Sequence, residues 1–275
     1  MNIGIWLHDT RPGTLEERLA SAAAQGFSCV QLAMSKAVPA FRMADAPKLL
    51  TGELAAEVKQ QLDRVGMECA VLGCYLKLAG RDGEEAARIR EIYLAHLQFA
   101  AMIGARCVGT ETPSADGLEG KACRTEEHYR LFLDRVRPVA RAAEELGVTL
   151  AVEPVCSHII HDVSLAEKML EDLKSDRVRI ILDAVNLIDS EHVGEADSLI
   201  REAVSRLGDR VCVLHMKDFI PQPDAPRPRP VPCGQGQMQY RTLLKLAWER
   251  DLPITLENTT PENAEQTRIW MESQA

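Results

Sequence analysis

The chain has 275 residues, of which 46% are hydrophobic and 27% are charged, a balance typical of a folded globular protein. A formal net charge of −9 argues against a nucleic-acid backbone or an anionic membrane as the main partner. The sequence does not open on a basic segment followed by a long apolar segment, and no apolar run approaches transmembrane length. We therefore expect a cytoplasmic protein with a small-molecule partner.

The eight cysteines lie mostly inside apolar, strand-like segments, as at Cys29, Cys69, Cys107 and Cys212. No CxxC pair is present. This pattern favours buried, reduced thiols over a disulfide framework, in agreement with a cytoplasmic location.

Strand-like and helix-like segments alternate along the chain. Strands are predicted at residues 3–7, 28–33, 68–74, 106–110, 148–153, 178–183, 210–215 and 253–257. Helices are predicted at residues 14–26, 51–65, 84–103, 125–146, from 164 onward, 195–207, 240–250 and after 261. Two of them begin with a capping pattern, at Thr14 with Glu17 and at Ser164 with Glu167. Glycines are predicted to end five helices, namely Gly26, Gly66, Gly104, Gly147 and Gly208.

Eight βα units in about 250 residues predict an α/β protein with a single (β/α)8 TIM barrel, one domain over residues 1–275. An open, doubly wound sheet is the alternative. It would call for a glycine-rich cofactor fingerprint after the first strand, and the segment His8-Asp-Thr-Arg-Pro-Gly13 has none. The proline-rich segment 221–232 is interpreted as a stiff loop over the barrel mouth.

Four charged or ionisable residues end four consecutive apolar strands: Glu153, Asp183, His215 and Glu257. Residues at the carboxyl ends of barrel strands face one shared mouth, so these side chains are expected to meet there. Three carboxylates and one imidazole favour Mn²⁺, Mg²⁺ or Co²⁺ over a thiolate-type zinc site.

The segments that carry these residues are AVEPV (151–155), ILDAVN (181–186), LHMKDF (214–219) and LEN (256–258). Together they resemble the xylose isomerase-like barrel superfamily of sugar phosphate isomerases and epimerases, and Gly234-Gln-Gly236 adds to the likeness. The resemblance implies that Glu153, Asp183, His215 and Glu257 bind one divalent metal ion. Mn²⁺ is the expected ion, with Mg²⁺, Co²⁺ and Zn²⁺ as alternatives.

The resemblance also implies a sugar or sugar phosphate isomerase or epimerase that works through a metal-stabilised enediolate. Glu153 and Glu257 would be its acid/base pair, one on each face of the substrate. Two alternatives stay open: an inosose dehydratase-like lyase acting on a keto-polyol, and a non-catalytic sugar-binding barrel. An endonuclease of the same fold is disfavoured, because it needs more histidine ligands and a basic DNA-binding face.

Five further residues are candidates for substrate binding: His8, Glu111, His158, Asn186 and Lys217. Asn186 departs from the family pattern, in which an Asp-x-x-His often supplies a histidine. An asparagine can hydrogen-bond a hydroxyl but cannot shuttle a proton near neutral pH.

Weaker assignments concern other side chains. Arg227 and Arg229 could meet a phosphate, Tyr75 could form an apolar wall, and Trp6 is expected mainly in the core. His96 and His128 lie on predicted helices and are expected at the surface. The pattern leaves open whether the protein forms a homo-oligomer.

Overall fold

A computed structural model of the chain describes residues 1–222 and 224–274, and in it eight parallel strands close into a barrel. The described residues form ten strands in all, eight in the barrel and two (β8 and β9) outside it: β1 (Ile3–Trp6), β2 (Cys29–Leu32), β3 (Glu68–Gly73), β4 (Cys107–Glu111), β5 (Thr149–Glu153), β6 (Val178–Asp183), β7 (Val211–Met216), β8 (Asp218–Ile220), β9 (Arg229–Val231) and β10 (Ile254–Leu256). The barrel follows the order β1-β10-β7-β6-β5-β4-β3-β2, and β1 pairs with both β2 and β10. The predicted TIM barrel is therefore confirmed.

Helices surround the barrel. They are α1 (Leu15–Ala24), α2 (Met34–Ala37), α3 (Ala46–Leu49), α4 (Gly52–Val65), α5 (Gly83–Ile103), α6 (Glu126–Leu146), α7 (Val163–Leu173), α8 (Ala196–Leu207), α9 (Arg241–Arg250) and α10 (Ala264–Glu272). The eight predicted helices agree with these bounds to within a few residues. The short helices α2 and α3, between β2 and α4, were not predicted.

Side-chain caps set the amino ends of several helices. Thr14 and Glu17 form the predicted capping box at α1, because each side chain accepts a hydrogen bond from the other residue's backbone N–H. The prediction for α7 is wrong: Asp162, not Ser164, is the cap, and its carboxylate accepts from the backbone N–H of Leu165 at 2.7 Å. Asp162, two residues before Ser164, accepts a hydrogen bond from a first-turn N–H group that has no partner within the helix.

As predicted, α4, α5 and α6 end at glycines, Gly66, Gly104 and Gly147, which adopt left-handed backbone angles directly after the helices. Gly208 is different. Its φ is −51°, and α8 runs on into a short 3₁₀ turn before β7, so no left-handed residue is needed there.

Strands β8 and β9 form a two-stranded antiparallel hairpin outside the barrel, which the sequence analysis missed. Residues Arg229–Val231 of the predicted proline-rich loop are therefore a strand, and Pro223 of that loop lies outside the described residues. Pro230 is tolerated because each strand of a two-stranded ribbon has a free edge, where a missing N–H costs little.

Alternation along the strands positions the site. On β5, Leu150 and Val152 pack outward against the helices, whereas Ala151 faces the barrel interior, and Glu153 lies on that same inner side. The same alternation places Asp183 two residues beyond Ile181, His215 beyond Val213, and Glu257 beyond Thr255. Small or compact side chains therefore fill the barrel interior below the mouth, and the charged or ionisable side chains lie above them at the mouth.

His96 and His128 are not surface residues, contrary to the sequence-based expectation. His96 is 0% exposed on α5, where Nδ1 lies 2.8 Å from the carbonyl oxygen of Ile92. His128 is 5% exposed and its Nδ1 bonds the cap residue Thr125 at 2.7 Å. A long helix that packs on both the barrel and its neighbours buries more than one stripe of its surface.

All eight cysteines are buried free thiols, as expected. Among the helices of residues 1–222 and 224–274, none combines the length and apolar character that a membrane span requires.

Candidate metal centre and active site

The four strand-end residues meet at the carboxyl end of the barrel. Glu153, Asp183, His215 and Glu257 each offer one ligand atom, and these atoms all lie within 4.8 Å of one another. All four residues are at most 5% exposed. Each of four short strands carries an inward-facing polar side chain at its last residue or one residue to either side of it, and the four strands bring together residues spread over a hundred positions of sequence.

The donor set fits a divalent cation. Nδ1 of His215 lies 3.1 Å from Oε2 of Glu153 and 2.8 Å from Oε1 of Glu257. Within the described residues, however, neither His215 nitrogen has a hydrogen-bond partner of suitable geometry, and neither does that oxygen of Glu257. Buried polar atoms that converge without hydrogen bonds are costly unless a ligand satisfies them. One imidazole and three carboxylates are suitable ligands for Mn²⁺, Mg²⁺, Co²⁺ or Zn²⁺.

The cluster carries excess negative charge, and its pKa values reflect this. Burial alone would lower the pKa of His215, but Glu153 and Glu257 outweigh burial and raise it to about 10. Burial would raise the pKa of Glu257, but Lys217 and His215 lower it to about 2. For Asp183 burial prevails over Lys217, and the pKa rises to about 6. The cluster therefore attracts cations.

Lys217 is the fixed cation of the cluster. Its Nζ lies 2.7 Å from Oδ2 of Asp183 and 2.9 Å from Oε2 of Glu257. Burial opposes the charged ammonium, but Asp183 and Glu257 raise the pKa of Lys217 above its ordinary value. The lysine therefore stays protonated and orients the two carboxylates from the side of the cavity.

A chain of hydrogen bonds ties the hairpin to Glu153. The Asn186 side-chain N–H group donates to Oε1 of Glu153 at 2.5 Å, and Oδ1 of Asn186 accepts from Nη2 of Arg227 at 2.7 Å. The backbone N–H of Asn186 donates to Oδ1 of Asp183 at 3.1 Å. Asn186 thus fixes the carboxylates of Glu153 and Asp183 without itself being able to transfer a proton.

A cavity of about 680 Å³ opens above the cluster, a size that suits a small ligand. All five predicted substrate-binding residues line it, namely His8, Glu111, His158, Asn186 and Lys217. Glu257 also lines the cavity, whereas Glu153, Asp183 and His215 are almost completely buried. The cavity wall therefore combines one carboxylate of the cluster with several hydrogen-bonding side chains.

Glu111 and His158 form a pair on one side of the cavity, with Nδ1 of His158 3.6 Å from Oε2 of Glu111. Burial, with Glu153 and Glu257 nearby, raises the pKa of Glu111 to about 8. Burial and the charge of Arg227 lower the pKa of His158 to about 4. At neutral pH the pair is therefore a carboxylic acid beside a neutral imidazole, which can donate to and accept from hydroxyl groups.

Trp6 belongs to the cavity wall, although it was expected mainly in the core. It lies 5.0 Å from the ring of His8 and 6.0 Å from that of His215. Tyr75 and Arg229 are not among the residues that line this cavity. The Tyr75 hydroxyl accepts a hydrogen bond from Gln31 at 2.9 Å.

Several lining residues were missed, among them Asp9, Asn258 and Thr259. The Thr259 hydroxyl donates to Asp9 at 3.0 Å, across 250 positions of sequence. Burial raises the pKa of Asp9 to about 6. Asn258 has a φ of +58°, and an asparagine next to a strand-end glutamate was the available signal for such a turn.

Asp218 anchors the loop that carries the Gly-Gln-Gly motif. Its carboxylate accepts from the backbone N–H groups of Phe219, Gly234, Gly236 and Met238 at 2.8–3.1 Å. A side chain at Gly236 would overlap both the Phe219 carbonyl oxygen and the Asp218 carboxylate, so only glycine fits. This loop holds the base of the hairpin next to Lys217.

Solved structures share the whole fold. The apo form of 3-keto-D-glucoside 4-epimerase YcjR from E. coli is 15% identical, with 99% of each chain covered and a TM-score of 0.74. The IOLI protein with a bound zinc atom is 16% identical, with 100% and 97% covered and a TM-score of 0.74. The probable 3-DHS dehydratase AsbF from Bacillus anthracis is 13% identical, with 100% and 98% covered and a TM-score of 0.75.

At these identities the solved structures establish the fold alone. No curated protein matches the sequence. The family model described as xylose isomerase-like TIM barrel, however, matches residues 19–274. The predicted resemblance is confirmed, and the chain belongs to the xylose isomerase-like TIM barrel family.

Proposed function

We propose that this chain is a divalent-metal-dependent isomerase or epimerase of a sugar or keto-polyol, with Glu153 and Glu257 as its acid/base pair. The observation that carries the proposal is the buried set of three carboxylates and one histidine directly below a cavity lined with hydrogen-bonding groups. Similar structures named as sugar epimerases support it, including several ketose 3-epimerases.

Glu153, Asp183, His215 and Glu257 would hold the metal ion. When bound, the ion supplies positive charge that stabilises the negative charge developing on the substrate's carbonyl oxygen. Mn²⁺ is the ion we propose, and zinc in one similar structure keeps Zn²⁺ as an alternative. The oxygen-rich donor set suits several hard or borderline cations.

Proton transfer falls to the two glutamates. Glu257 lines the cavity and is held ionised by Lys217 and His215, so it is ready to take the proton next to the carbonyl. The C–H electron pair then forms the carbon–carbon double bond, and the carbonyl oxygen takes the charge. Glu153, oriented by Asn186, would enter the cycle protonated and deliver that proton to the carbon from the other face as the carbonyl re-forms. Glu257 then releases the proton it took to solvent, and Glu153 takes one up, which restores the starting state.

One observation favours a lyase as the second candidate. Glu111 lines the cavity, and its pKa of about 8 leaves it protonated at neutral pH. A protonated carboxyl could donate to a leaving hydroxyl, which would turn the same proton abstraction into loss of water. A dehydratase is also among the similar structures.

The remaining assignments are proposals of the same kind. We infer one catalytic domain over residues 1–275, a small-molecule substrate bound by His8, Glu111, His158, Asn186 and Lys217, and no nucleic-acid partner. The cytoplasmic location and any homo-oligomer stay predictions from the sequence.

Solvent exchange tests the proposed function. Metal-loaded protein is incubated in D2O with a panel of ketoses, ketose phosphates and inososes, and NMR follows the carbon-bound hydrogens. We expect deuterium next to the carbonyl with wild type, retained in Glu262→Gln, an exposed control, and lost in Glu257→Gln. The product then separates epimerase, isomerase and dehydratase. Metal binding without exchange on any substrate would favour a sugar-binding barrel.

A further inference from the structure

A second cavity of about 500 Å³ lies beside the catalytic cavity at the barrel mouth. Loops that follow β4, β5, β6 and β8 form its walls. Arg227 lines both cavities. On the loop after β5, Val155 and His158 line the catalytic cavity, while Cys156 and Ser157 between them line the second one. The two cavities are therefore adjacent, with Arg227 at their boundary.

Hydrogen bonds between loops hold the walls of the second cavity. The backbone N–H of Gly120 donates to the Ser157 carbonyl oxygen at 2.9 Å, and the thiol of Cys123 lies 3.3 Å from that same oxygen. The backbone N–H of Ser190 donates to the Pro226 carbonyl oxygen at 3.2 Å. The hydroxyl of Ser190 also donates to Ala225. The backbone N–H of Cys156 donates to the Asn186 carbonyl oxygen at 2.7 Å, which links these two pairs of loops into one preformed pocket.

The charges of the second cavity are balanced. It is lined by three cations and three carboxylates: Lys121, Arg124, Arg227, Glu119, Asp189 and Glu191. Two ion pairs already form, Lys121 with Glu191 at 3.5 Å and Arg124 with Asp189 at 4.0 Å. A phosphate would meet three carboxylates here and lose much of its attraction to the cations.

A neutral polyol suits this wall better, because each hydroxyl can both donate and accept hydrogen bonds. Donors and acceptors are both available. The buried Nε of Arg124 has no hydrogen-bond partner among the described residues, and Ser157 offers a hydroxyl. The Ser190 hydroxyl, which donates to Ala225, can still accept a hydrogen bond.

We propose that the second cavity binds a second, uncharged sugar ring, so that the substrate is a glycoside and not a free or phosphorylated monosaccharide. This inference rests on the proposed function for the ring that undergoes reaction. Arg227, bonded to Asn186, lies where the two rings would join.

Ser157→Phe tests the proposal, because Ser157 lines only the second cavity and a phenyl ring there would take up space that the second sugar ring needs. Ser205→Phe, on the exposed side of α8, is the matched control. Binding of glucose, cellobiose, maltose and gentiobiose is measured by calorimetry on Mg²⁺-loaded protein. We expect at least one disaccharide to bind wild type and Ser205→Phe at least ~10-fold tighter than glucose, with Ser157→Phe losing this preference but keeping its glucose affinity.

The proposal is overturned if no disaccharide binds more tightly than glucose, or if Ser157→Phe weakens glucose and disaccharide equally. Because the readout is binding, it does not depend on turnover. Solvent exchange on single-ring ketoses without a disaccharide preference would refute the second ring alone. A disaccharide preference without exchange on any ketone would refute the proposed reaction alone.

Discussion

Lys217 is the residue through which charge balance in the metal cluster can be tested most sharply. Lys217→Met keeps the volume of the side chain but removes an ammonium 2.7 Å from Asp183 and 2.9 Å from Glu257. Each contact corresponds to about 6 kcal/mol of attraction at an effective dielectric constant of about 20, before the cost of burying the ions. Because the change leaves buried carboxylates unpaired, we expect metal-stripped protein to lose about 3–5 kcal/mol of unfolding free energy.

A bound divalent cation would supply the missing positive charge. Mn²⁺ should therefore stabilise Lys217→Met more than wild type, so that the difference in unfolding free energy between the two proteins becomes smaller. Urea unfolding of EDTA-stripped protein, repeated with graded Mn²⁺, measures both effects. Lys59→Met is the control: its exposed pair with Asp63 predicts a loss below about 1 kcal/mol, unaffected by Mn²⁺. If stripped Lys217→Met were as stable as wild type, or if Mn²⁺ stabilised both equally, the reasoning would be refuted.

Two further changes test how the fold is stabilised. Gly236→Ala should lose about 1–3 kcal/mol of unfolding free energy, because its Cβ would overlap Phe219 and Asp218. Gly194→Ala, which has open space around its Cβ, is the control and should be as stable as wild type when both variants are unfolded in urea. His96 has a pKa that burial lowers to about 4, so the unfolded chain binds more protons below about pH 6.5 and wild type loses stability as the pH falls. Urea melts measure how far the unfolding free energy falls between pH 7 and pH 5. This fall should be about 2 kcal/mol smaller in His96→Leu than in wild type, and an equal fall in both proteins would contradict the explanation.

The cluster of Glu153, Asp183, His215 and Glu257 could be predicted from the sequence because two local rules act together. Each short apolar strand ended on a residue that an apolar strand does not favour, and strand alternation fixes which side that residue faces. Glu153 and Asp183 end their strands as predicted, and Glu257 follows its strand directly. Because the strands close into a barrel, the four side chains at their carboxyl ends meet in one cluster.

Features that depend on contacts distant in sequence could not be read in this way. Arg227 reaches Asn186 across 41 positions because β8 and β9 form a hairpin, and prolines in that segment concealed the second strand. The burial of His96 depends on how α5 packs, which its own periodicity does not reveal. The strand-end residues, with Asn186 and Lys217 beside them, were therefore predictable, whereas the contact of Arg227 and the burial of His96 were not.

The most direct test of the central claim is the metal content of wild type and of Asp183→Asn. After stripping, reloading with Mn²⁺ and dialysis, we predict one Mn²⁺ per wild-type chain. Asp183→Asn should bind Mn²⁺ more than ~100-fold more weakly than wild type. This is a larger loss than expected for a residue that only hydrogen-bonds to a metal ligand. The exposed control Asp176→Asn should match wild type. Wild-type protein that retains no metal, or equal binding by Asp183→Asn, would contradict a metal site at Glu153, Asp183, His215 and Glu257.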